Sequence, residues 1–218
     1  RSTQIARRQR QMCIRDSANS ATIQLGNQIV NLKQETDYPW DGNIKLRLDP
    51  DAKSEFEIRL RIPGWTQNRP LPSDLYQYIG KTEEKVSLKV NDSVVPLKID
   101  NGYAYLKRIW DKGDTIELNL PMSIRRVLCN ENVECNKGKV AFERGPIVYC
   151  AEGVDNGGKA LNLIVPDSME LKYEWRSEIL KSLPIILGVN ENQKIILIPY
   201  HLWAHRGQGE MAVWLKRG

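Results

Sequence analysis

The sequence predicts an all-β protein built from two consecutive antiparallel β-sandwich, jelly-roll-like domains. Three observations lead there. Short segments of apolar/polar alternation recur along the chain, and turn residues interrupt them roughly every 8–12 positions. No stretch carries the period of a long amphipathic helix. The third is length: 218 residues suffice for one large or two small β domains, each with its own core and needing no disulfide or metal.

Residues 22–33 alternate loosely and run into Tyr38-Pro39-Trp40-Asp41-Gly42, a turn signal. Ile44, Leu46 and Leu48 then alternate with Lys45, Arg47 and Asp49, and Phe56, Ile58, Leu60 and Ile62 with Glu57, Arg59 and Arg61. Both are half-buried strands, because successive side chains point to opposite faces. Pro63-Gly64 stops the second. Residues 66–84 lose the alternation and are read as a surface insertion. Strands follow at 86–90 and 94–99, a hairpin across Asn91-Asp92-Ser93. Asn101-Gly102, whose residues tolerate positive φ, turns the chain into 103–106, and Lys112-Gly113-Asp114 turns it into 116–120. Pro121 ends that strand. Further strands are expected at 124–128, 140–143, 147–150, 162–165, 170–174, 194–200 and 210–215, with only 177–182 suggesting a helix, too short to stand alone. The domains are therefore placed at 18–121, with the insertion at 66–84, and 122–218.

The net charge of +5 invites a nucleic-acid reading, but its location argues against one. Residues 1–17 hold five arginines and one aspartate, and residues 18–218 keep a net charge of only +1. That head has no strand pattern and no apolar core of a secretory signal. Its Gln11-Met12-Cys13-Ile14-Arg15-Asp16-Ser17 stretch resembles translated adapter sequence. It is read as a non-native or disordered basic head, with a functional basic arm as the competing reading. No apolar run approaches the ~20 residues of a membrane-spanning helix. Neither nucleic acid nor membrane is expected as a partner.

Residues that carry chemistry are few. His201 and His205 share a strand face by spacing, yet no third ligand and no H-E-x-x-H pattern accompanies them. Partly exposed histidines at a strand end are the plainer reading. Glycoside hydrolysis needs two carboxylates flanking the scissile bond. Asp37, Asp41, Glu143, Glu152 and Asp155 are candidates, but they sit at turns or alternate with apolar residues, where acids are usually solvated. Cys129, Cys135 and Cys150 lack metal-ligand spacing and read as buried thiols, with a Cys129–Cys135 disulfide open in an oxidising compartment. Nucleotide-binding glycine motifs and a serine-hydrolase elbow are absent from the sequence. Trp40, Trp65, Trp110, Trp175, Trp203 and Trp214 serve either core packing or, if exposed, sugar stacking. No catalytic, cofactor-binding or metal residue is assigned.

A series of motifs in order carries a resemblance. It runs through Gln34-Glu35-Thr36-Asp37-Tyr38-Pro39-Trp40-Asp41-Gly42, Leu60-Arg61-Ile62-Pro63-Gly64-Trp65, Gly102-Tyr103, Trp110, Lys112-Gly113-Asp114 and Leu120-Pro121-Met122. It continues through Gly138-Lys139-Val140-Ala141, Arg144-Gly145-Pro146-Ile147-Val148-Tyr149-Cys150, Ile198-Pro199-Tyr200, Arg206-Gly207 and Gly209-Glu210-Met211-Ala212-Val213-Trp214. From about residue 20 onward the chain resembles the middle and C-terminal β domains of the non-reducing-end β-L-arabinofuranosidases, glycoside hydrolase family 127. The resemblance implies an (α/α)6 catalytic barrel before these domains, with a cysteine nucleophile held beside zinc by two more cysteines and a glutamate. This sequence has neither adjacent cysteines nor Glu-x-Cys, so zinc is expected only in that barrel and no cofactor in this chain. The expected function is that of scaffold domains of an enzyme releasing L-arabinose from plant glycans, inactive without the barrel. An autonomous carbohydrate-binding β-sandwich is the alternative. Expected partners are the barrel, facing Tyr38-Pro39-Trp40, and a second copy through the β domains. Localisation is left open between periplasm and cytoplasm.

Overall fold

A computed structural model of the chain describes residues 19–80, 82–179, 182–191 and 193–218. The expectation for residues 1–17 lies outside them. The described residues hold β-strands and four short 3-10 turns but no α-helix, so the all-β class stands. Two compact units share them. One runs up to Thr66 and resumes over Glu83–Met122; the other joins Gln67–Thr82 to Ser123–Gly218.

In the first unit, β1 (Asn19–Leu25) and β2 (Gln28–Thr36) form a hairpin about Gly26-Asn27, where Gly26 takes φ 61°. β3 (Asn43–Pro50) and β4 (Ser54–Arg61) follow as the alternation predicts. β5 (Tyr76–Tyr78) leaves for the second unit. β6 (Ser87–Val90), β7 (Ser93–Val94), β8 (Ile99–Asp100), β9 (Tyr103–Trp110) and β10 (Thr115–Asn119) complete the first. Six strands make one sheet in the order β1-β2-β3-β10-β6-β7, and β4-β9-β8 make a second. One core collects the inward residues of both: Leu46, Leu48, Leu88, Val90, Ile116 and Leu118 from the larger sheet, Leu60, Ala104, Leu106 and Trp110 from the smaller. Trp110 is fully buried and its indole N–H donates to the Phe56 carbonyl at 3.0 Å. The opposite faces are charged. Lys45 pairs with Glu117 across the β3–β10 register, and Arg59 and Arg61 lie over their cross-strand partners Tyr105 and Tyr103. The expected strand at 94–99 does not form as one piece. Pro96 removes a ladder donor, and the chain passes from β7 in one sheet to β8 in the other.

Among the described residues the second unit forms one ten-stranded sheet. Its strands are β5, β11 (Ile124–Cys129), β12 (Lys139–Arg144), β13 (Ile147–Glu152), β14 (Ile164–Val165), β15 (Glu170–Arg176), β16 (Leu183–Val189), β17 (Lys194–Pro199), β18 (Met211–Ala212) and β19 (Leu215–Arg217). The main order is β14-β19-β12-β13-β17-β16-β15, with β11 bridging β12 and β5, and β18 on β13. Among the described residues only β14 and β19 pair parallel.

Two expectations are corrected here. Residues 67–82 are no mere surface insertion of the first domain: Tyr76, Gln77 and Tyr78 pair with Cys129, Leu128 and Val127, and Tyr78 is buried. The pairing partner lies some fifty residues downstream, so no local pattern announces it. The strand β16 was missed because Leu183–Gly188 is buried throughout, on both faces of a central strand, and so does not alternate. In the adjoining segment expected as helical, residues 177–179 are a turn or bend, while 180 and 181 lie outside the described residues.

Candidate functional site

A partly buried polar arrangement of the second unit forms at the end of β13. That strand delivers Glu152, and the 3-10 turn Gly153–Asp155 directly after it delivers Asp155. Asn156 then acts as one more rung of the sheet. Its side-chain amide donates to the carbonyls of Glu152 (2.8 Å) and Ile196 (3.0 Å), and its oxygen accepts the Ile196 N–H (3.0 Å). The opposing wall comes from residues 200–210, which leave β17 through the 3-10 turn Tyr200–Leu202 and return as β18 against Ala151 and Glu152.

Arg206 on that wall forks onto Asp155, with Nη1 donating to Oδ1 at 2.7 Å, and its Nη2 also donates to Glu152 Oε2. The three side chains are 19%, 9% and 8% exposed, in the order Arg206, Asp155, Glu152. Asp155, and then Glu152, hold the guanidinium above its ordinary pKa against the opposing effect of burial. Glu152 Oε1 accepts the N–H of Ala204 at 2.7 Å, fixing that residue at φ 66°. Glu210 accepts the N–H groups of Ala160 (2.8 Å) and Leu161 (3.1 Å) and pairs with Lys159, which together hold its carboxyl below the usual range. Beside this frame is a cavity of about 460 Å³, lined in part by Glu152, Val154, Trp203, Arg206, Glu210 and Met211.

The arrangement cannot work as a glycosidase acid–base pair. Such a pair needs a sugar bond between its carboxyls, and here a guanidinium fills that place. Both carboxylates act as acceptors that brace two loops. Of the other acids proposed from sequence, Asp41 accepts the Asn43 N–H (2.7 Å) and the Asp37 carbonyl accepts the N–H of Trp40 and Asp41, so both serve a turn. Glu143 Oε2 accepts the Tyr78 hydroxyl at 2.7 Å, and burial raises its carboxyl above the usual range. The Arg125 guanidinium lies 4.2 Å from the Tyr78 ring centre and donates to Asn68 (2.6 Å) and the Gly80 carbonyl (3.0 Å).

The cysteines do not fit the zinc–thiolate centre that the resemblance places in the barrel. Among the described residues no three His, Cys, Asp or Glu side chains gather as a metal site. Burial pushes the Cys150 thiol up to about 12, the reverse of an activated thiolate. The Cys129 thiol sits 3.7 Å from the Val133 carbonyl, and Cys129, Cys135 and Cys150 are all free thiols. His201 and His205 lie on the loop after β17, both exposed, with partial burial lowering the His201 pKa. Of the tryptophans, Trp110 is core, Trp214 stacks with Tyr76, and Trp175 and Trp203 are exposed. In Tyr38-Pro39-Trp40, Pro39 is buried while Tyr38 and Trp40 are half-buried, Tyr38 against the core of the first unit. Sequence reasoning gave Arg206, Tyr78 and Asn156 no role. For Arg206 and Asn156, the only available signals were the Arg206-Gly207 motif and the Glu152-x-x-Asp155-Asn156 spacing.

The two units are all-β domains, and both match models of one glycoside hydrolase family. Residues 17–122 match the β-L-arabinofuranosidase GH127 middle domain, and residues 124–216 the glycoside hydrolase family 127 C-terminal domain. The chain belongs to glycoside hydrolase family 127 and carries its middle and C-terminal domains. It is similar to the non-reducing end β-L-arabinofuranosidase of Bifidobacterium longum subsp. longum, 28% identical over 92% of this chain and 32% of that protein. Among solved structures it resembles a GH127 β-arabinofuranosidase, with TM-score 0.83 and 35% identity over 92% of this chain and 34% of that one. It also resembles a GH127 β-L-arabinofuranosidase from Geobacillus stearothermophilus T6, with TM-score 0.78 and 33% identity over 91% and 32%. The chain thus spans about a third of the length of these relatives.

Proposed function

We propose that these two units are accessory domains of a β-L-arabinofuranosidase, supporting a catalytic barrel that releases L-arabinose from plant glycans. One observation carries the reading: the acidic pair Glu152 and Asp155 is locked by Arg206 as a structural brace. The similarity to β-L-arabinofuranosidases over a third of their length supports the substrate class. In this reading the nucleophile and its zinc belong to the barrel, and the β domains contribute its support and the contacts between copies.

The test is an assay on a chromogenic β-L-arabinofuranoside. The 218-residue chain alone is expected to release no product above buffer. The same chain joined to a family catalytic barrel is expected to turn over, with thermal inactivation delayed relative to the barrel alone. Turnover by the chain alone sinks the proposal, as does a barrel whose activity and stability are indifferent to these domains.

A further inference from the structure

We infer that the cavity beside Arg206 is a binding subsite for a neutral sugar ring, with Trp203 as its stacking platform. The inference is independent of the accessory role, since domains that bind no sugar would still support a barrel.

The first support is aromatic exposure. Trp203 and Tyr200 are 40% and 43% exposed, and their rings stack 6.4 Å apart at an interplanar angle of 19°. Leaving two large rings open to water forgoes their burial, and the flat faces they present suit the apolar C–H face of a sugar.

Rigidity is the second. Trp203 N–H donates to the Tyr200 carbonyl at 3.3 Å, and the next residue, Ala204, is tied by its N–H to the buried Glu152 carboxylate. The backbone that carries the ring is therefore held by the Glu152–Asp155–Arg206 brace before any ligand arrives, which lowers the ordering cost of binding. Chance exposure would give no such support. Trp175 on β15 is the contrast: it is 54% exposed and lines no part of this cavity.

Polarity and size narrow the ligand. The cavity's 460 Å³ falls within the ~300–1,000 Å³ of small-molecule sites and is larger than one sugar ring requires. Glu210 and Gln208 line it and offer acceptors for hydroxyl groups, Gln208 also an amide donor, while Glu152 is committed to the brace. The immediate charges are the carboxylates of Glu152, Asp155 and Glu210 against the cations of Arg206 and Lys159. Three negative against two positive leaves a slight excess that repels uronates and phosphates, so the ligand is not an anion.

The test is an NMR titration of the full 218-residue chain with L-arabinose, D-galactose and, as the charged counterpart, D-galacturonate. Saturable shifts confined to residues 152–154 and 200–211 are expected for at least one neutral sugar, with weaker binding of galacturonate. Trp203→Ala should weaken that binding roughly tenfold, the size of a lost aromatic contact, while Trp203→Phe retains part of it and Trp175→Ala leaves it unchanged. If Trp203→Ala fails to fold by circular dichroism, the Phe variant carries the comparison. Absence of saturable shifts with both neutral sugars, binding unaffected by loss of the indole, or preferred binding of galacturonate would each overturn the proposal.

Discussion

Arg206 joins two acids that sequence places at a strand end and a turn, where solvated side chains are the ordinary outcome. It reaches them across 54 and 51 positions, a separation over which no spacing rule applies. That is why Glu152 and Asp155 were legible as candidates while their partner and purpose were not. Removing the guanidinium leaves two carboxylates in a site with little water. Arg206→Ala should therefore cost about 3–5 kcal/mol in urea unfolding. Arg206→Lys should recover part of this, because a single ammonium cannot fork onto Asp155 and reach Glu152 together. An Ala variant as stable as the parent would show that the brace is dispensable. Glu143 poses the opposite case. Burial raises its folded pKa above the unfolded value, so it favours folding at low pH and loses that contribution as pH rises through the raised value. Glu143→Gln can still accept the Tyr78 hydroxyl without the charge. The stability of this variant relative to the parent should grow as pH rises above the ordinary glutamate value of about 4.3, read as a difference in Tm; a difference that stays flat as pH rises from there refutes the assignment.

At the level of elements, β3, β4, β9 and β10 were legible because each buries one face, and the period-2 pattern is the direct imprint of that half-burial. The hairpin of β1 and β2 was present in the sequence as Gly26-Asn27 but lay within a loosely alternating run, with β1 exposed along its whole length. β16 is the reverse, buried on both faces and therefore without alternation. β5 was the hardest to read, a three-residue strand whose partner is remote. Its membership is testable. Tyr78→Ala removes a buried ring, the Glu143 hydrogen bond and the Arg125 contact, which together should cost about 3–5 kcal/mol. Amide exchange should accelerate in β5, β11 and β12 and stay unchanged in β3, β6 and β10. Acceleration in the latter set alone would return residues 67–82 to the first unit.

For the molecule as a whole, the all-β class followed from patterning, because turn chemistry and strand alternation act locally and survive any arrangement of strands. Topology did not follow, since the second unit's single ten-stranded sheet and the migration of β5 depend on pairings between distant segments. Family membership was legible through motif order, whereas the cavity beside Trp203 required side chains from segments some fifty residues apart in the second unit.

The excursion of residues 67–82 also bears on inheritance. The chain passes between units three times, near residues 66, 82 and 122, so a gene cut at the seam between the two family matches does not separate two self-sufficient cassettes. The upstream piece would keep a strand whose partner is gone, and the downstream piece would lose the ring that covers Glu143. Recombination at that seam is penalised on both sides, which favours transmission of the two domains as one heritable block.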